Sequence, residues 1–299
     1  MPFSASLYAH PFDEKHLKAY TETLCSTYSG ISLHTLTRSL CGRAIPYLAF
    51  GEGKRKVLYV GTHHGMEWIT GLFLLHFVKT VFENDHFLGA SIEKLLARFR
   101  FFVIPSLNVD GAELQIHGAN PASPLYERQM RMQPSGDFSA WQANARGVDL
   151  NHNYNADFYA YKAYEKSAGI VGPAASRYGG LYPESEPEVA GLCSLVRMIR
   201  PTVILTLHTQ GEEVFYGASY ATPRIKEIGR SIASLIDYKL SEPQGSAAFS
   251  GMTDWAVKCG IPAYTLECGK GKNPLPLSEG EVIFARIRPA LFAAPDRAL

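Results

Sequence analysis

Residues 56–68, KVLYVGTHHGMEW, set an imidazole and a carboxylate three positions apart just beyond an apolar run. Residues 56–60 are rich in β-branched and aromatic types and Gly61 breaks the run, so a buried strand should end in a turn there. His64 and Glu67 then stand where an apolar helix, GLFLLHFVKTVF, begins, and a spacing of three points two side chains of a first helical turn at one spot. A His nitrogen and a Glu oxygen meeting at the carboxyl end of a strand are half of a zinc site, because catalytic zinc takes three protein ligands plus water. One further ligand is needed.

Candidates stand at the ends of other apolar runs. Asn108 follows FFVIP, His208 follows TVILTL and Glu267 follows AYTL. In open α/β sheets ligands bind outside the carboxyl ends of the strands, so residues far apart in sequence can converge there. His64, Glu67, His208 and Glu267 would give three zinc ligands with one carboxylate to spare. Singly, such a His is more often a hydrogen-bonded structural residue and such a Glu a solvated one. Four at strand ends of one sheet shift the balance.

Periodicity places the elements that must hold these residues. Residues 14–28 have helical spacing, 29–40 read as a strand region, and 45–50 with 56–60 read as a hairpin whose first strand lies at an edge because of Pro46. Helices are expected over 68–83 and 91–97, then a strand over 101–105. Residues 112–148 are weakly patterned, a length that tends to be functional. A helix opens at 183–188 and runs to Arg197, its glutamates suiting the macrodipole. The rest reads as a strand over 202–207, helices over 225–240 and 253–258, a strand over 263–266, and a helix over 281–288 that Pro289 stops or kinks. This alternation argues α/β with a parallel or mixed sheet, and residues 1–299 read as one unit with 1–50 packed onto it.

Composition agrees with a catalyst of small substrates. The 299 residues are 46% hydrophobic with a net charge of +1, which gives no sign of a nucleic-acid or membrane partner. The opening MPFSASLYAHPFDEKH lacks a basic stretch followed by an apolar one, so the chain reads as cytoplasmic. Five cysteines without CxxC spacing read as buried, reduced thiols, and Cys268 has no evident His to activate it. His63 reads as a neighbour of the metal rather than a ligand. Oligomeric state is not legible.

Taken in order, His64-x-x-Glu67-Trp68, Asn108-Val-Asp-Gly, Gly147-Val-Asp-Leu-Asn151, His208 and Asp254-Trp255 before Thr265-Leu-Glu267 resemble the carboxypeptidase A-like zinc metallopeptidases. The resemblance covers residue 50 to the C-terminus. It implies a mixed, roughly eight-stranded central sheet flanked by helices and one Zn²⁺ per chain on His64, Glu67 and His208. A zinc with an open position lowers the pKa of water from about 15.7 towards 7, and Glu267 is then the candidate general base and acid. Family members draw an oxyanion-stabilising Arg from the region of Arg128-Gln-Met-Arg131, which makes Arg131 the candidate and Arg128 an auxiliary.

Departures bear on the substrate. The family's Asn-Arg pair grips a substrate carboxylate, but here Asn151 precedes His152, and an imidazole does not replace a bidentate guanidinium. Met66 stands where an Arg is common, Ser246 near the place of a capping Tyr, and Thr253 near the position that sets side-chain preference. The run from Trp141 through Asn144, Arg146 and Asn151-His152-Asn153-Tyr154 is similar to the γ-D-glutamyl-meso-diaminopimelate peptidases, as is Gly269-Lys-Gly-Lys-Asn273-Pro-Leu-Pro276. That implies a small muropeptide-like substrate, with Arg146 or His152 helping to bind its carboxylate. The alternatives are a metallocarboxypeptidase of other specificity, a zinc amidase or deacylase, and a non-catalytic metal binder.

Overall fold

Strands as apolar as residues 57–60 and 203–207 need cover on both faces, which helices flanking a mixed sheet provide. The computed structural model describes residues 7–299, so the first six residues of the opening segment lie outside the described part. After α1 (Glu14–Thr27) come β1 (Ser32–Arg38), β2 (Ala44–Phe50) and β3 (Arg55–Val60). Next are α2 (Ile69–Glu83), a ribbon of β4 (His86–Phe87) and β5 (Ala90–Ser91), α3 (Ile92–Arg98) and β6 (Phe99–Ile104). Helices α4 (Val109–His117), α5 (Tyr126–Met132), α6 (Phe158–Ser167) and α7 (Pro187–Ile199) fill the middle of the chain. The last third supplies β7 (Val203–His208), β8 (Glu213–Tyr216), α8 (Pro223–Leu235), β9 (Lys239–Ser241), α9 (Met252–Lys258), β10 (Ala263–Glu267) and α10 (Gly280–Arg297).

Eight strands form one sheet in the order β1-β2-β6-β3-β7-β10-β8-β9. At its centre β6, β3, β7 and β10 are parallel, so their carboxyl ends lie along one edge. β2 and β8 flank this group antiparallel. The central strands are buried throughout, and the Tyr59 hydroxyl donates to the Leu291 carbonyl of α10 at 2.5 Å. Helix α2, apolar on nearly every face, packs against α10, β3 and β6.

Several expectations are corrected. β2 and β3 are not a hairpin, because β6 lies between them. Pro46 sits on β2 but not at the sheet edge; it faces Thr35 of β1 beside a bulge, beyond the ladder to β6, which covers only Leu48, Ala49 and Phe50. The weak stretch holds α4 and α5, and α6 lies in a region left without an element. The helix expected to reach Leu240 ends at Leu235, where Asp237 turns with φ 53°, and β9 follows. Pro289 lies inside α10, whose Ala290, Leu291 and Ala294 are buried, so packing carries the helix past it. The five cysteines are free, but Cys259 is exposed. Among the described residues no helix is long and apolar enough to cross a membrane.

The loop after β3 carries a single 3₁₀ turn, Gly65–Glu67, wedged against α4. The Gly65 amide donates to the Gln142 carbonyl at 2.8 Å, and a Cβ here would lie 2.4 Å from the Gly111 carbonyl oxygen. Backbone cannot yield as a side chain does. Gly65→Ala should therefore destabilise the protein by about 1–3 kcal/mol through overpacking, read as a lower midpoint in thermal denaturation, and a wild-type midpoint would refute this contact.

Candidate metal centre

The four parallel strands end in the four segments nominated for chemistry. Backbone bonds continue the β3–β6 ladder past the strand ends, from Leu107 N to Gly61 O (3.1 Å) and Asn108 N to Thr62 O (2.9 Å). Buried Asn108 then braces the turn: its Nδ2 donates to the carbonyls of His63, Gln142 and Ala143, and its Oδ1 accepts from Gly111 N. His208 and Glu267 are register partners at the ends of β7 and β10. Strand geometry thus fixes their separation without any side-chain contact.

His64, Glu67 and His208 converge, with one ligand atom of each within 4.8 Å of the others. Glu67 is 3% exposed and shares its oxygens: Oε1 lies 2.8 Å from His64 Nδ1, and Oε2 lies 2.9 Å from His208 Nδ1 and accepts from Thr209 N at 3.3 Å. The two histidine rings meet edge-on, centroids 4.9 Å apart. His64 Nε2 lies 3.2 Å from Asp149 Oδ1, while Asp149 Oδ2 accepts from Arg177 N at 2.9 Å. A buried carboxylate on the far nitrogen orients the ring and leaves Nδ1 turned inward. His208 Nε2 is buried with no partner. His63 stacks on His208 at 5.2 Å and hydrogen-bonds the Tyr154 hydroxyl through Nε2.

Electrostatics show what this arrangement lacks. Burial opposes the charge on His64, but Glu67 and Asp149 outweigh it and raise its pKa well above the ordinary value. Burial likewise opposes ionisation of Glu67, yet positive charge on His64 and His208 brings it down to about 2. Glu267 is pushed up to about 8, first by burial and then by the neighbouring Glu67 charge. Carboxylates outnumber cations here. The donor set of two imidazoles and a buried carboxylate fits Zn²⁺, which would replace the protons now holding the cluster together.

Of the other expected residues, Asn151 and Thr253 line a cleft of about 60 Å³ with Phe215, Asp254, Thr265 and Glu267. Asn151 Oδ1 accepts from Met252 N, and Thr253, Thr265 and Thr206 form a chain of hydroxyls at 2.7 and 2.9 Å. His152 is buried, stacked on Tyr161 at 4.1 Å, and donates from Nδ1 to the Phe249 carbonyl; burial lowers its pKa. It is a neutral ring rather than a carboxylate grip.

Arg146 is a correction: its guanidinium holds buried Glu186 through Nε and Nη2 at 2.7 and 2.8 Å, so it belongs to the scaffold. Arg131 is exposed in the last turn of α5 and contacts none of the cluster. Arg128, partly buried, instead lies near Tyr178, where its charge opposes the upward push of burial on that phenol. Two residues were not anticipated. Asp254 in the cleft wall is pushed up to about 7 by burial, and Asn273 braces Thr209, accepting from Oγ1 at 2.7 Å and donating to the Thr209 carbonyl at 2.8 Å. Asn273 stood inside the quoted Gly269–Pro276 run; for Asp254, sequence gives only its place near a helix start.

Comparison with known proteins agrees with this geometry. Among curated proteins, the γ-D-glutamyl-L-diamino acid endopeptidase 1 of Lysinibacillus sphaericus is 29% identical over 260 residues, 82% of this chain and 62% of that protein. This chain thus spans less than two thirds of that relative's length. Among solved structures, thrombin activatable fibrinolysis inhibitor superposes with a TM-score of 0.74 at 20% identity, covering 98% of this chain and 75% of that one. The murein-tripeptide amidase MpaA from Escherichia coli O157 gives 0.54 at 20% identity, covering 88% and 92%. Both show a shared fold. Residues 17–284 match the Peptidase_M14 zinc carboxypeptidase family, and with that span matched the chain belongs to the zinc carboxypeptidases.

Proposed function

We propose that the protein hydrolyses the amide between D-glutamate and meso-diaminopimelate in small cell-wall peptides, with residues 1–299 acting as one catalytic unit in the cytoplasm. The observation that carries the reaction is the meeting of His64, Glu67 and His208 at the strand ends, with Glu267 in register beside His208. The relative named as a γ-D-glutamyl-L-diamino acid endopeptidase supports the substrate class. So does the replacement of a guanidinium after Asn151 by the neutral ring of His152.

His64, Glu67 and His208 would hold zinc, which when bound supplies Lewis acidity toward a carbonyl and toward water. Asp149 keeps His64 Nδ1 turned inward by taking its Nε2 edge. Glu267 takes the proton of the attacking water and returns it to the leaving amine, a role that suits a carboxyl whose burial favours its protonated form. Asn151 and the hydroxyls of Thr253 and Thr265 line the cleft where the departing amino acid sits. For the oxyanion, Arg128 and Arg131 stay the candidates, with Arg128 the less exposed.

Two measurements test this. Because the His64 pKa is raised without metal, zinc must displace a proton near neutrality; binding should release protons, and affinity should rise with pH until it passes that pKa and then level. Calorimetry in buffers of different ionisation enthalpy reads this, and heats independent of buffer would contradict it. Incubation with L-Ala-γ-D-Glu-meso-diaminopimelate should release free diaminopimelate by mass spectrometry, and Glu267→Gln should slow this roughly 10²–10⁴-fold with zinc content unchanged. Release only of C-terminal residues from ordinary peptides would reject the substrate, and loss of zinc from Glu267→Gln would reject the role.

A further inference from the structure

A second group among the described residues meets the same geometric requirement as the centre above. Ligand atoms of Asp13, Glu113 and His117 all lie within 4.8 Å of one another, away from the sheet edge. Glu113 and His117 are four apart on α4 and so share one face, while Asp13 caps the start of α1. His117 sits in the last turn of α4, where unsatisfied carbonyls favour positive charge.

Each residue keeps an uncommitted ligand atom. Asp13 Oδ1 accepts from His16 N at 2.9 Å and meets His16 Nδ1 at 2.6 Å, but Oδ2 has only His117 Nε2, at 3.1 Å. Glu113 Oε1 accepts from Glu14 N at 2.7 Å, while Oε2 lies 3.8 Å from Arg43, too far for a hydrogen bond. Arg43 is engaged elsewhere, with Asp110 at 2.7 Å and Glu14 at 2.8 Å. One guanidinium thus faces Asp110, Glu14 and Glu113, with the Asp13 carboxylate beside them.

An independent observation points to a ligand. Glu113 and His117 open onto a cavity of about 350 Å³ that Gln129 also lines. Gln129 is 1% exposed, its Nε2 donates to the Ala145 carbonyl, and its Oε1 has no partner. A buried acceptor without a donor is costly. The water shell of a hydrated cation offers the donors it lacks.

From the free Asp13 Oδ2, Glu113 Oε2 and His117 Nε2 beside that cavity, we propose a second divalent-cation site joining α1 to the end of α4. One imidazole and two carboxylates suit Zn²⁺ or a similar transition ion, with water completing the shell. The other end of α4 begins at Asn108, which braces the catalytic turn, so the ion would tie the N-terminal helix to the element behind the first centre. This inference does not depend on the assignment of His64, Glu67 and His208.

The test counts zinc on the full chain. Wild type, His117→Ala, Asp13→Asn and His208→Ala proteins are dialysed against micromolar Zn²⁺ near neutral pH, and bound metal is measured by plasma mass spectrometry. Asp13→Asn retains a good helix cap, so it should fold. Both His117→Ala and Asp13→Asn should carry one ion fewer than wild type, with affinity for that ion lower by on the order of 10–100-fold or more. An unchanged count in both overturns the site. Loss in His117→Ala alone marks adventitious binding at an exposed imidazole and overturns it equally. His208→Ala reads the catalytic cluster separately, so the two assignments fail independently.

Discussion

A single buried carboxylate, Glu67, governs the centre. At 3% exposure its ionised form is stable only beside positive charge, since burying an unpaired carboxylate costs on the order of several kcal/mol even after relaxation. Its two oxygens reach one histidine each, at 2.8 and 2.9 Å. Whether two imidazolium protons or one divalent cation supply that charge, the same three side chains must face one point. A cation satisfies all three at once and also relieves Glu267, whose carboxyl is held protonated by the charge beside it.

Such a demand is met by the scaffold rather than by the ligands. Parallel pairing of β3, β7 and β10 brings Val60 level with Thr206, and His208 level with Glu267. The remaining freedom lies in the loop after β3. Asn108 removes it by spending three donations on carbonyls from two other segments, and Gly65 allows α4 to approach at backbone distance. Asp149 fixes the His64 ring from outside. Each support is itself buried, so a loss at any of them leaves an unpaired polar group and displaces the cluster together.

What could be read from sequence follows from the same physics. Apolar runs of five or six residues ending in a turn mark buried parallel strands, and their carboxyl ends mark a site, so β3, β6, β7 and β10 with His64, Glu67, His208 and Glu267 were legible. Strand neighbours were not: β2 and β3 are close in sequence, yet β6 intervenes, because pairing depends on the whole sheet. Short elements such as β8 and β9 are too brief for periodicity to register. Pro289 misled because the ring's local cost is outweighed by the buried Ala290, Leu291 and Ala294.

The arginines show why a charged side chain is harder to place than a strand. Arg146 stands five residues from Asn151 in a motif-like run, and spacing alone would let it face a substrate. Its fate is set by Glu186, which is 1% exposed and could not remain ionised there without a partner. A long flexible cation goes to the deepest carboxylate within reach, because an exposed contact is screened and worth far less. The number of buried carboxylates therefore decides how many guanidinium groups are left for a ligand, and that number is a property of the folded chain. Glu186 looks in sequence like one more acid at a helix start, although folding removes it, and Arg146 with it, from the cleft.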